Sequence, residues 1–274
     1  MTQEQGGYAY VNRNIYLNGP INYDSAQEVV SMIKQINEYD SMVEEEQMNM
    51  LSEYVNMGVL AQNSIQGLTP REPIMLEINS GGGMTSAGFS IVSAIENSET
   101  PIIGYVTGDC MSMATAIVAS CHYRMSTKYA SFMIHDIYAG FEGKFNDLNS
   151  SVNYVKKIRG DYHSLIVEYT NVDADKLDSI IDGNSDFHFT PEEAKVFGLI
   201  DALDTDEVDE EKFFNKLYGA EQESVADKQV NTEEKVEEKF IKTDKPENIV
   251  EKIKDNSGQK STLWNDIVSR FIKG

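Results

Sequence analysis

An apolar run, Ile74-Met75-Leu76-Glu77-Ile78, passes without interruption into Asn79-Ser80-Gly81-Gly82-Gly83. Five such residues read as a strand. Three glycines at its end leave backbone N–H groups facing outward with no Cβ in the way. A helix follows, with Ile91, Val92 and Ile95 on its apolar face, and then a second strand, Ile102-Ile103-Gly104-Tyr105-Val106. Alternation of strand and helix, with glycine-rich turns where strands end, indicates an α/β domain with a largely parallel sheet. Ligands of such sheets bind beyond the carboxyl ends of the strands, which is where these glycines sit.

The flanking segments fit the same scheme. Residues Arg13 to Leu17 read as a strand ending at the turn Asn18-Gly19-Pro20. Ala26, Val29, Val30, Ile33 and Ile36 recur at helical spacing behind a cap at Asp24 or Ser25. Residues 39–70, polar and rich in Glu and Met, are expected to form a second helix and a loop. Gly108 precedes a helix of small residues from Ser112 to Ala119, and short strands near Tyr123–Ser126 and Ser131–Ile134 lead to His135. A long helix is predicted over Asp147–Tyr169, with Leu148, Val152, Val155, Ile158, Tyr162, Leu165 and Tyr169 on one face.

After Leu203 the composition shifts. Asp204–Glu211 is acidic, and Glu, Lys, Asp, Gln and Asn dominate up to about Ser261, the pattern of a solvated helix or a disordered tail. Leu263, Trp264, Ile267, Val268, Phe271 and Ile272 then restore helical spacing behind a Ser261/Thr262 cap. That segment reads equally as a helix packed on its own domain or as a docking helix for a partner. The expected organisation is an N-terminal segment 1–12, a domain over 13–203 and an acidic tail over 204–274.

Charge and cysteine content narrow the function classes. Asp and Glu outnumber Lys and Arg by 45 to 23, a formal charge of -22. Such a field repels phosphate backbones and anionic lipid, so neither nucleic acid nor a membrane is expected as a partner. No apolar run reaches bilayer-spanning length, and MTQEQGGYAY lacks the pattern of a secretory signal; a cytoplasmic location is expected. Cys110 and Cys121 are expected to be reduced thiols, and the four histidines have no zinc-site spacing. Neither a metal nor another cofactor is indicated.

Three stretches could carry chemistry, and each has a bland reading. Gly81-Gly82-Gly83 alone is most often a turn. In Gly108-Asp109-Cys110-Met111-Ser112-Met113-Ala114 the serine stands at a strand-to-helix junction, where its hydroxyl is presented and the helix amino terminus favours negative charge. A lone serine there is usually a cap, and the G-x-S-x-G pattern of a nucleophile elbow is missing. Phe132-Met133-Ile134-His135 ends an apolar strand, where a histidine is more often a core residue than a base.

Taken together, IYLNGPI near the amino terminus, INSGGG at 78–83, GDCMSMA at 108–114, MIHDIYAGFEG at 133–143 and DFHFTPEEAKVFGLID at 186–201 resemble the ClpP family of Clp peptidase subunits, in order and in spacing. The resemblance covers about residues 13–203. It implies the ClpP/crotonase-like fold of stacked β-α-β units, with the long helix as a protruding handle. It also implies Ser112 as nucleophile, His135 as general base, Asp186 as the orienting acid, and the N–H groups of Gly83 and Met113 as oxyanion hole. Asp182, four residues upstream, is the alternative acid; Asp136 is read as a surface or loop residue.

The resemblance further implies a homo-oligomeric ring, heptameric and stacked in pairs, that cleaves peptide or unfolded-protein substrates. An AAA+ unfoldase belongs to the same picture, but only residues 1–12 precede the first strand, short of the family's axial loop and first helix. Gly81 stands where the family usually has Pro, Asp136-Ile137 where it has Gln-Pro, and Phe187 where many members carry an Arg that pairs across rings. The acidic tail is unmatched and would suit a phage-encoded member that matures capsid precursors. A crotonase-fold acyl-CoA hydratase or isomerase remains the reading from another enzyme class. A non-catalytic ring subunit is a further one.

Overall fold

The computed structural model describes residues 11–58, 70–182 and 186–219. They fall into two units that divide between Leu203 and Asp204. The first holds seven strands: β1 (Asn14–Asn18), β2 (Ile74–Ser80), β3 (Ile102–Met111), β4 (Tyr123–Ser126), β5 (Ser131–Ile134), β6 (Phe187–Phe189) and β7 (Ala202–Leu203). Strands β1-β2-β3-β4-β7 lie side by side and are all parallel. Helices α1 (Tyr23–Asn56), α2 (Thr85–Glu96), α3 (Met113–Ala119), α4 (Phe145–Tyr169), α5 (Ala174–Ile181) and α6 (Pro191–Val196) fill the connections. The α/β class with a largely parallel sheet is therefore observed, with β1 starting one residue later than expected.

Helix α1 differs from expectation in two ways. Its cap is Asn22, whose side chain accepts from the N–H groups of Asp24 and Ser25, with Ser25 Oγ returning a bond to the Asn22 N–H. It also runs unbroken through Asn56, so the second helix expected after residue 39 is the continuation of the first. The buried stripe Ala26, Val29, Ile33, Ile36 stops at Asp40. Beyond that point Glu, Met and Gln sustain the helix by propensity, with no apolar face to announce it.

Asp40 is itself a structural joint. Buried at the end of the stripe, it pairs with Arg13 and accepts a 2.6 Å bond from Thr100 Oγ1. It thereby ties α1 to the start of β1 and to the turn before β3.

Strand β3 positions the chemistry. Its first half pairs with β4, Ile103 opposite Tyr123 through Val106 opposite Ser126. Its last three residues leave β4 and pair with β5 instead, Asp109 opposite Ser131 through Met111 opposite Met133. The change of neighbour coincides with a bulge, where the β2 register jumps from Ile78–Val106 to Ser80–Cys110. Gly108 permits it: a Cβ there would lie 2.5 Å from Asn79 Oδ1, which accepts the Asp109 N–H at 3.0 Å.

The core is filled by β1–β3, by the inner faces of α1 and α2, and by α3, all of whose residues are buried. Helix α6 opens on a capping box at Thr190, with Glu193 at N3. Among the described residues no helix is long and apolar enough to cross a membrane. In the second unit a helix spans 210–219, begun by Asp209 accepting from the Lys212 N–H. The N-terminal segment 1–10 and the tail from 220, including the apolar helical segment read at 263–272, lie outside the described residues.

Candidate active site

Ser112 follows the last residue of β3 and His135 the last residue of β5. These strands are parallel neighbours, so both side chains emerge at the same edge of the sheet, beyond the carboxyl ends. The Ser112 N–H donates to Met133 O at 2.8 Å, and His135 Nε2 lies 2.8 Å from Ser112 Oγ. A nucleophile and a base are thus within hydrogen-bond reach, held by a ladder rather than by a loop.

Among the described residues Ser112 is the one non-glycine with positive φ, at 53°, with ψ -124°. That backbone is disfavoured for any residue with a Cβ and persists only where the surroundings over-determine it. Here three contacts do so. The Ser112 N–H is bonded to β5, as above. Thr115 Oγ1 donates to Ser112 O at 2.6 Å, and Tyr162 of α4 lies 2.7 Å from the same Thr115 oxygen. Because the Thr115 proton is spent on the carbonyl, the Tyr162 hydroxyl is the donor to Thr115. Burial pushes the Tyr162 phenol well above its ordinary value, which keeps it a donor. Sequence reasoning placed Tyr162 on the apolar face of its helix; the signal for more was a hydroxyl where a buried face needs none.

The glycine triplet approaches from the other side. Gly83 bridges Ile21, and the two bonds of that bridge use Gly82 O and the Met84 N–H. The Gly83 N–H therefore points away from Ile21. A Cβ at Gly82 would sit 2.7 Å from Ser112 Cβ and from Met111 O, so this glycine is what lets the two segments meet. Met113 is the first residue of α3, and its N–H is one of the amides a helix start leaves without an intrahelical acceptor. Gly81, Gly83, Ser112, Met113, His135 and Tyr162 line a cavity of about 260 Å³.

The carboxylates separate. Strand β6 runs antiparallel to β5, with Met133 opposite His188 and Ile134 opposite Phe187. The ladder ends there, with His135 following Ile134 and Asp186 preceding Phe187; Asp186 is exposed, and no hydrogen bond joins it to the imidazole. Asp182, the C-cap of α5, is held instead by Arg159 of α4 at 2.5 Å. Asp136 is the loop residue expected, but it is engaged: its Oδ1 accepts from Arg159 Nε at 3.0 Å and from the Ile137 N–H at 2.7 Å. Phe187 is turned among Phe189 and Phe197, at ring separations of 5.6 and 6.1 Å. Among the described residues no group of three His, Cys, Asp or Glu side chains could hold a metal ion.

The sequence model of the Clp protease family matches residues 37–207, more than half of the chain. This chain belongs to the Clp protease family. It is 33% identical over 138 residues to ATP-dependent Clp protease proteolytic subunit 1 of Chlamydia pneumoniae, an alignment covering 49% of this chain and 71% of that protein. Membership in a Clp protease family favours a peptidase over the acyl-CoA hydratase or isomerase left open by the sequence. The matched span begins inside α1 and contains every segment of the cavity just described.

Proposed function

We propose that the chain is a serine peptidase in which Ser112 attacks the peptide carbonyl and His135 takes its proton. The observation that carries this is the 2.8 Å approach of His135 Nε2 to Ser112 Oγ on a strained strand-to-helix turn. Attack forms the Oγ–C bond and moves the carbonyl electron pair onto oxygen. The N–H groups of Gly83 and Met113 receive that oxyanion. His135 then passes its proton to the leaving amine as the C–N bond breaks, and a water repeats the sequence to release the acyl group. Asp186, the residue before β6, holds the imidazole in the tautomer with Nδ1 protonated. Asp182 is the weaker candidate because Arg159 already occupies it.

Assembly into a homo-oligomeric ring belongs to the same reading. The carboxyl half of α4 is buried through Ile158, Tyr162, Leu165 and Ile166, whereas Phe145, Val152 and Tyr154 of its amino half are exposed, as are Tyr138 and Phe141 just before it. An apolar patch of this extent on a single chain marks an interface. With Phe187 committed to its aromatic cluster, ring stacking here proceeds without the arginine pairing found in many relatives. Peptides or unfolded chains are the substrates.

The test is covalent. A fluorophosphonate probe should form one adduct, mapping to Ser112, and Ser112→Ala or His135→Ala should abolish it. Ser112→Ala should also lower hydrolysis of a fluorogenic peptide by on the order of 10⁶. An assembled wild-type protein that takes no label at Ser112 overturns the reading.

A further inference from the structure

One cation joins the residue after His135 to the end of α5 without touching the proposed catalytic pair itself. Arg159 divides its guanidinium fork, Nε to Asp136 Oδ1 at 3.0 Å and Nη2 to Asp182 Oδ1 at 2.5 Å. Asp136 is the residue after His135, and the same oxygen that meets Arg159 also accepts the Ile137 N–H. The arginine therefore fixes the first turn of chain beyond the base. Asp182 is the C-cap of α5, so the second arm ties α4 to the end of that helix. A rigid planar fork suits such a task, because its two donor directions are set relative to each other.

Stability does not account for this arrangement. The three side chains are 32%, 49% and 69% exposed, and ion pairs so exposed contribute little to folding. Geometry accounts for it better. Arg159 and Tyr162 are three residues apart on α4 and so share a face. Tyr162 reaches the Ser112 turn through Thr115, while Arg159 reaches the residue after His135 and the end of α5. A single helical turn thus touches the supports of both Ser112 and His135.

We propose that Arg159 is a positioning residue, bridging Asp136 and Asp182 so that the chain just beyond His135 is pinned to α4 and the end of α5 and the imidazole is held at working distance from Ser112. The inference rests on the serine-peptidase reading above.

The experiment measures the rate of fluorophosphonate labelling of the full chain alongside its thermal midpoint. Arg159→Gln should slow labelling on the order of 10-fold or more, from lost positioning, while the thermal midpoint stays near wild type. Arg159→Lys keeps the charge but not the fork, so it should restore only part of the rate. Asp136→Asn and Asp182→Asn each remove one arm and should each slow labelling by less than Arg159→Gln does. Labelling of Arg159→Gln at the wild-type rate overturns the assignment and leaves the peptidase reading intact. A loss of rate that tracks only a fall in thermal midpoint, or that Arg159→Lys does not relieve, overturns it as well. Failure of the wild-type protein to label at Ser112 overturns both.

Discussion

His135 and Asp186 flank the end of a three-pair antiparallel ladder, His135 directly after Ile134 and Asp186 directly before Phe187, the last pair of Phe132–Phe189, Met133–His188 and Ile134–Phe187. This relation separates the two candidate acids by their place along the backbone. Asp182 has no such relation to the imidazole and is bonded to Arg159.

Asp186→Asn should therefore lower hydrolysis of a fluorogenic peptide by on the order of 10²–10⁴, since an amide no longer enforces the working tautomer. Asp182→Asn should cost less than about 10-fold, the share of a supporting contact. Steady-state kcat for the two variants checks the order; a larger loss at Asp182 would reassign the acid.

Gly82→Ala should damage the site more than its size suggests. Its φ is +90°, and the new methyl would meet Ser112 Cβ and Met111 O, both at 2.7 Å. Neither neighbour is the free end of a flexible chain, so the strain falls on the Ser112 turn. A loss of about 1–3 kcal/mol is expected in urea denaturation. Labelling of Ser112 should fall in the fraction that remains folded. Gly81→Ala is the control, as a Cβ there meets nothing within 4 Å.

The two thiols predict an alkaline limit to stability. Cys110 and Cys121 are free and buried, and burial drives both upward, Cys121 to about 12. A thiol raised in the native state binds its proton there while the unfolded chain has lost it. Stability is thus fully present below about pH 9 and declines as pH rises toward the folded values. Each thiol should contribute a slope of about 1.4 kcal/mol per pH unit between pH 9.5 and 11. Cys121→Ala should remove one such slope in denaturation series across that range. Neither thiol should react with Ellman's reagent at pH 8 until the protein is unfolded.

The exposed amino half of α4 predicts an assembly. Native mass measurement should give several times the mass of one chain. Val152→Glu, which buries a charge if that face is an interface, should shift the population to smaller species while leaving the helical circular dichroism of each chain intact. A monomeric wild-type protein at micromolar concentration would refute the ring.

The sequence made the sheet and its carboxyl-edge site legible because apolar strands ending in glycine have few alternative readings. It located Ser112 and His135 through motif order, and the structure brings the two together. It did not reveal the length of α1, because the apolar stripe ends at Asp40 and only propensity carries the helix on. The strain at Ser112 was equally hidden. Cys110, Met111 and Met113 give no local hint of a positive φ, which is imposed by Met133, Thr115 and Tyr162 from elsewhere in the chain. Nor could the sequence foresee Arg159, since two carboxylates 23 residues away on either side look unrelated until α4 is folded between them.

Because β3 changes partner midway, the hydroxyl and the imidazole hang from two strands stitched directly to each other. Drawing them apart would mean unzipping sheet rather than swinging a loop. Any on–off control of this protein is thus best sought in the arm that brings in Asp186, or in the doorway to the cavity, and not in the Ser112–His135 couple.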